Sequence, residues 1–176
     1  GSVQCVYLDA PTPVAPVALD TVGNVGRYLS VRHSVPGAPV SPAVAYYDST
    51  NRRLKYLLCN SGITDPCANR TPLVIDNSTN DVGQYASIAP NTTPHMVYYD
   101  ATAGDLKAAI CDNASCTGSI TIRTLDAAGD VGRHAEAMMV GNRLAAVYFD
   151  ATNNAYKYLR CEDATCARSL VTAMST

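Results

Sequence analysis

Tryptophan is absent and phenylalanine occurs once, so the eleven tyrosines carry nearly all the aromatic content. Charge is sparse: 16% of residues are charged, against about 25% in ordinary soluble domains. The net charge of −2 gives no electrostatic pull toward nucleic acid or an anionic membrane surface. No apolar run approaches the ~20 residues of a membrane-spanning helix, and no segment carries the apolar period of an amphipathic helix. There is no Gly-x-Ser-x-Gly elbow and no glycine-rich phosphate loop. The sequence opens with no signal-peptide pattern and Gly1-Ser2 reads as a cloning remnant, so the expectation is an excised mature piece whose targeting must be inferred. A chain of 176 residues suits one domain.

What is present is a sentence written three times. Ala43-Val-Ala-Tyr-Tyr-Asp48, Met96-Val-Tyr-Tyr-Asp100 and Ala146-Val-Tyr-Phe-Asp150 end 52 and 50 residues apart. Seven residues after each Asp stands a lysine: Lys55, Lys107 and Lys157, the only lysines in the chain. Four residues on comes Cys59, Cys111 or Cys161, each followed by a second cysteine, Cys67, Cys116 or Cys166. Upstream of each sentence lies an Asp, a polar loop and Val-Gly: Asp20 with Val25-Gly26-Arg27, Asp76 with Val82-Gly83-Gln84, and Asp126 with Val131-Gly132-Arg133. The units run over about 20–75, 76–125 and 126–176. Residues 3–19 align with the second half of a preceding unit, because Cys5 sits 15 residues before Asp20 as Cys111 does before Asp126. A period near fifty marks stacked supersecondary units.

Six of the seven cysteines fall into the local pairs Cys59–Cys67, Cys111–Cys116 and Cys161–Cys166. A zinc site needs four ligands gathered together, whereas these pairs recur once per unit with no repeated histidine. Disulfides are the preferred reading, with free thiols as the alternative, and they imply an oxidising compartment: extracellular, cell-surface or periplasmic. Cys5 is left over.

Each unit reads as four short strands, for example about 85–89, 96–100, 106–111 and 120–125 in the second, with Val-Gly as the turn before the first. Alternation puts Met96, Tyr98 and Asp100 on one face and Val97 and Tyr99 on the other. Leu106, Ala108 and Ile110 share a face opposite Lys107, Ala109 and Cys111. Both faces are apolar, as in a sheet packed between two others. Four-stranded units of this length in tandem indicate an all-β, propeller-like array: three complete blades and an N-terminal half blade in one domain, 1–176. Closure is open to three readings: a longer propeller, two chains sharing seven blades, or a curved open stack.

The pattern of Val-Gly-Arg, Tyr-Tyr-Asp-Ala-Thr, Leu-Lys and Cys-x4-Cys resembles tandem repeats of large secreted bacterial proteins, over nearly all of 20–176. Those repeats look like propeller blades, distantly similar to sialidase-type propellers. The resemblance implies a fold and no assigned activity. The sialidase turn motif Ser-x-Asp-x-Gly-x-Thr-Trp is missing here, and no catalytic constellation carries over.

Most repeated polar residues have a scaffold reading. Asp48, Asp100 and Asp150 are expected to accept hydrogen bonds in the turn that follows each. Lys55, Lys107 and Lys157 are expected to pair with nearby aspartates. The oxygen-rich loops at 76–81 and 126–130 raise calcium as an alternative, but neither follows the twelve-position calcium pattern; no cofactor is expected. One tyrosine of each Tyr-Tyr pair is expected to pack between blades and the other to offer its hydroxyl to a partner. Tyr56 and Tyr158 add further half-polar rings. Asn69, Asn77, Asn91 and Asn113 open Asn-x-Ser/Thr sequons. His33, His95 and His134 fall at scattered places.

The candidate ligand-binding residues are Tyr28, Tyr85, His134, Glu136, Arg27 and Arg133, with no catalytic and no metal residue. The reading is a secreted or cell-surface binding or adhesion module for a glycan or surface polymer, with no nucleic acid, no membrane insertion and an oligomer or a larger propeller as its context. The alternatives are a sialidase-like glycoside hydrolase and a purely structural or oligomerisation domain.

Overall fold

A computed structural model describes residues 1–5, 16–33, 41–59, 67, 70–89 and 91–174. Residues 6–15 of the N-terminal half unit, Asn69, and the side chains of Cys5 and His33 lie outside the described set. Among the described residues there is no helix, and hence none long and apolar enough to cross a membrane.

The chain opens with an antiparallel pair, β1 (Val3–Cys5) and β2 (Val17–Asp20). Three four-stranded antiparallel sheets follow, each with its strands side by side in chain order. The first holds β3 (Val25–His33), β4 (Pro42–Asp48), β5 (Arg53–Leu58) and β6 (Leu73–Val74). The second holds β7 (Val82–Ala89), β8 (His95–Asp100), β9 (Asp105–Cys111) and β10 (Ile120–Asp126). The third holds β11 (Val131–Val140), β12 (Arg143–Asp150), β13 (Ala155–Cys161) and β14 (Ser169–Ala173). The cysteines close as Cys59–Cys67, Cys111–Cys116 and Cys161–Cys166, the chemistry of an oxidising environment.

The middle hairpin of each sheet is set by its aspartate. Asp48 Oδ1 accepts from the backbone N–H groups of Thr50 and Asn51, Asp100 Oδ1 from those of Thr102 and Ala103, and Asp150 Oδ1 from that of Asn153. These are the expected turn-building carboxylates. Each turn closes through a left-handed residue, Arg52, Gly104 or Asn154.

Adjacent sheets pack face to face through their first strands, β7 on β3, β4 and β5, and β11 on β7, β8 and β9. The alternation in the middle sheet holds: Val97, Leu106, Ala108 and Ile110 join the core shared with the third sheet, while Met96, Tyr98, Ala109 and Cys111 join the core shared with the first. The pair β1–β2 covers part of the first sheet through Val3 and Leu19, which lie against Val44, Tyr46 and Leu57.

Val-Gly is not a turn before the strand, as the sequence suggested, but part of the strand itself. The register of β3 on β4, β7 on β8 and β11 on β12 breaks just after the valine and again after the next residue but one. These are bulges. Glycine is required at Gly83 and Gly132, where φ is +107° and +109° and a Cβ would lie 2.7 Å from Leu54 Cα and 2.9 Å from Leu106 Cα of the preceding sheet.

A three-membered ionic cluster then fastens each four-stranded sheet to the sheet before it. Lys55 Nζ lies 2.8 Å from Asp20 and 3.3 Å from Asp48; Lys107 Nζ lies 2.7 Å from Asp76 and 3.7 Å from Asp100; Lys157 Nζ lies 3.2 Å from Asp126 and 2.8 Å from Asp150. Tyr46, Tyr98 and Tyr148, all fully buried, donate their hydroxyls to Asp20, Asp76 and Asp126 at 2.7, 2.7 and 2.6 Å. Burial alone would raise the carboxyls of Asp20, Asp76 and Asp126, but the hydrogen bonds they receive hold all three below the usual carboxylate range. Burial, reinforced by the aspartate partner, pushes the three phenols up.

Candidate functional site

The bulge that follows each Val-Gly places the next residue but one in the left-handed region: Tyr28 at φ 51°, Tyr85 at 52° and His134 at 52°. Few non-glycine residues adopt that backbone, and here three large rings do so at one repeat position. Backbone strain of this kind persists only where the surroundings impose it. It turns the three side chains toward one another. The Tyr28 and Tyr85 ring centroids lie 4.4 Å apart, the Tyr85 and His134 centroids also 4.4 Å, and both pairs are tilted. Tyr47 and Tyr99 flank the row at 6.0 Å from Tyr28 and 6.2 Å from Tyr85.

The row lines an open cleft of ≈ 220 Å³ to which three sheets contribute, with Leu29 and Glu136 also among its lining residues. The Glu136 carboxylate accepts the Ser87 hydroxyl at 2.9 Å and lies 3.5 Å from Arg32 Nη2. Its side chain remains 70% exposed, which leaves acceptor capacity toward solvent. Burial raises the Tyr85 hydroxyl, and the adjacent Tyr28 hydroxyl adds to the shift.

Four of the six candidate residues, Tyr28, Tyr85, His134 and Glu136, therefore meet at one cleft, and two do not line it. Arg133 turns aside to Asp130 at 2.7 Å and lies over the Tyr99 ring with its guanidinium 5.5 Å from the centroid. Arg27 is exposed and is not among the lining residues. The equivalence of His134 with Tyr28 and Tyr85 was available in the spacing from each glycine, and Arg32 carried no sequence signal of its own.

The second tyrosine of each pair has a different task from the one expected. Tyr47 donates its hydroxyl to Asp81 at 2.6 Å and Tyr99 to Asp130 at 2.7 Å, each an aspartate that opens the next sheet. Burial first, then Asp81, pushes the Tyr47 hydroxyl up to about 12. These hydroxyls are spent on joining sheets. Tyr56 is likewise committed, donating to the Ala114 carbonyl at 2.8 Å. Among the described residues no cluster of three or more His, Cys, Asp or Glu side chains is placed to hold a metal ion.

In comparisons with known proteins, no family model, no curated protein and no solved structure matches the chain.

Proposed function

We propose that the chain is a secreted or cell-surface binding module of propeller-like build, which recognises a glycan or surface polymer at the Tyr28–Tyr85–His134 cleft without catalysing a reaction on it. The observation that carries this reading is the row of three rings, one from each sheet, spaced at 4.4 Å. Apolar ring faces beside hydrogen-bonding edges suit a sugar, whose C–H faces stack while its hydroxyls bond. The cleft volume of ≈ 220 Å³ is below the range of roughly 300–1,000 Å³ typical of drug-sized ligands, which favours one or two sugar rings of a longer polymer. Glu136 supplies an acceptor for sugar hydroxyls at the rim.

A retaining or inverting glycosidase works with two carboxylates flanking the scissile bond. Glu136 is the one acid among the cleft-lining residues, so the hydrolase alternative lacks its partner group there.

The test is a glycan array followed by titration calorimetry on the hits. The expected result is a specific glycan whose affinity falls about tenfold in Tyr85→Ala, roughly 1.4 kcal/mol, with the melting temperature little changed. An array without hits, or binding indifferent to Tyr85, would reject the reading. Turnover of a hit would transfer the case to the hydrolase.

A further inference from the structure

Both ends of the three-sheet stack expose side chains that the repeat buries everywhere else. Leu54 and Leu106 are fully buried against the next sheet, while Tyr156, at the same position of the third, is 52% exposed. Ile75 and Leu125 are 5% and 7% exposed, and their counterpart Met174 is 47% exposed. The equivalence is fixed by pairing, since Ile75 N–H donates to the Leu54 carbonyl and Met174 N–H to the Tyr156 carbonyl. The Arg52 carbonyl accepts from Val82 N–H and the Gly104 carbonyl from Val131 N–H of the next sheet. The Asn154 carbonyl occupies the same place in the third sheet and has no such partner among the described residues.

At the other end, Ala86, Ile88, Ala135 and Ala137 on β7 and β11 are buried under the preceding sheet. Their counterparts Leu29 and Val31 on β3 are 49% and 46% exposed. The pair β1–β2 stands only where third and fourth strands belong. Asp20 of β2 makes the contacts to Tyr46 and Lys55 that Asp76 makes to Tyr98 and Lys107. Among the described residues, the other edge of β1 pairs with no strand. Among the described residues this half sheet has no counterpart of the first and second strands.

We propose that one β-hairpin of the repeat's own first-and-second-strand pattern fills both vacancies and closes the molecule as a ring of four sheets. Its second strand pairs with the free edge of β1. One of its faces covers Phe149, Tyr156 and Met174, and the other covers Leu29 and Val31. Backbone bonding along an open edge, with apolar side chains received beside it, is strand addition. The ring is narrow because Arg32 on β3 reaches Glu136 on β11 across the intervening sheet, which two side chains span only when the first strands crowd a common axis. Four is also within the range of propeller blade counts. A second copy of residues 1–176 is not the occupant, because its three hairpins of this pattern, β3–β4, β7–β8 and β11–β12, are already inside its own sheets. The inference stands on sheet packing, so a failed glycan screen leaves it untouched.

The experiment appends a copy of residues 128–152 after Thr176, in the register that continues Met174 as 128–152 continues Leu125, with Ser175→Asp restoring the repeat's aspartate. The expected product is a monomer with its melting temperature raised by about 4 °C or more. Val31→Asp and Tyr156→Asp, each near-neutral in the parent chain, should each remove at least half of that rise. The same hairpin supplied as a separate peptide should bind the parent at 1:1 and fail to bind either variant. An unchanged melting temperature with a protease-sensitive extension, together with a peptide that does not bind, overturns the proposal. So does a parent chain that is already a dimer and that Val31→Asp or Tyr156→Asp returns to a monomer.

Discussion

Lys107 Nζ lies 2.7 Å from Asp76 Oδ2, although Lys107 belongs to β9 of the second sheet and Asp76 follows β6 of the first. Both side chains are nearly buried, at 11% and 5% exposure. A cation between two carboxylates in such a place joins sheets, but it offsets its own desolvation only while all the partners are present. Lys107→Met therefore leaves Asp76 and Asp100 facing each other without a counter-charge. The expected loss is about 3–5 kcal/mol at neutral pH, read by urea unfolding. Repeated near pH 3, the same comparison should show a smaller gap, because Asp76, no longer held down by the cation, then takes up a proton. A gap independent of pH would mean that Lys107 acts through packing alone.

The carboxyls of Asp20, Asp48, Asp76 and Asp126 are held below their ordinary value of 3.8, and that of Asp150 is lowered to about 2. A depressed carboxyl contributes stability that is fully present above the unfolded-state value and lost as pH falls through the folded one. The melting temperature should thus hold level down to about pH 5 and fall between roughly pH 4 and 2. On the alkaline side the sign reverses. Lys55 and Lys157 are raised above 10.5, and Tyr46 and Tyr148 above 10.0. Their contribution is complete below those values and is lost as pH rises past them. Calorimetry across pH 2–12 should trace both flanks, and a stability maximum in acid would contradict the assignment.

Gly132 and Gly141 separate two effects that glycine usually confounds. Both have positive φ, +109° and +61°. A Cβ on Gly132 would sit 2.9 Å from Leu106 Cα of the neighbouring sheet, whereas nothing lies within 4 Å of one on Gly141. Gly141→Ala should cost about 1–2 kcal/mol, the left-handed backbone penalty. Gly132→Ala should cost clearly more, because the second and third sheets must also move apart. Equal losses in chemical denaturation would place the importance of Gly132 in its backbone alone.

The alternation of the Tyr-Tyr-Asp strand was enough to place Met96 and Tyr98 on one face and Val97 on the other, because a period of two leaves no other assignment. The lysine–aspartate pairing and the three disulfides were legible for a related reason: each recurs once per unit at the same place, and few partners fall within reach. The rest depended on contacts between units, which spacing within a unit does not encode. Nothing local distinguishes Tyr47 donating to Asp81 from Tyr47 offering its hydroxyl to a ligand. The bulge after Val-Gly looked like a turn because a left-handed glycine serves either. His134 seemed unrelated to Tyr28 and Tyr85 because residue type was weighed ahead of position. Phe149 became intelligible only in three dimensions: it stands where Tyr47 and Tyr99 reach the aspartate of a following sheet, and it packs edge-on against Tyr156 at 5.5 Å instead.

Ser87 links the scaffold to the cleft. Its Oγ accepts the Ala137 N–H at 3.0 Å and donates to Glu136 Oε2 at 2.9 Å, and the residue is 1% exposed. Ser30 makes the equivalent bond one sheet earlier, accepting from Ile88 N–H at 3.1 Å. Glu136 occupies the third position of this Ser30–Ser87 series, so it is the residue where a sheet-joining role gives way to an exposed carboxylate. Ser87→Ala leaves the Ala137 N–H buried without an acceptor, at a cost of about 1–3 kcal/mol, and frees Glu136 on one side. Ser30→Ala removes the equivalent acceptor without touching Glu136. The two variants should therefore lose similar stability, while only Ser87→Ala weakens binding of a glycan selected on the wild-type chain. Equal binding losses in both would show that the cleft responds to general loosening of the sheets; a loss confined to Ser87→Ala identifies the carboxylate of Glu136 as the group that the ligand reads.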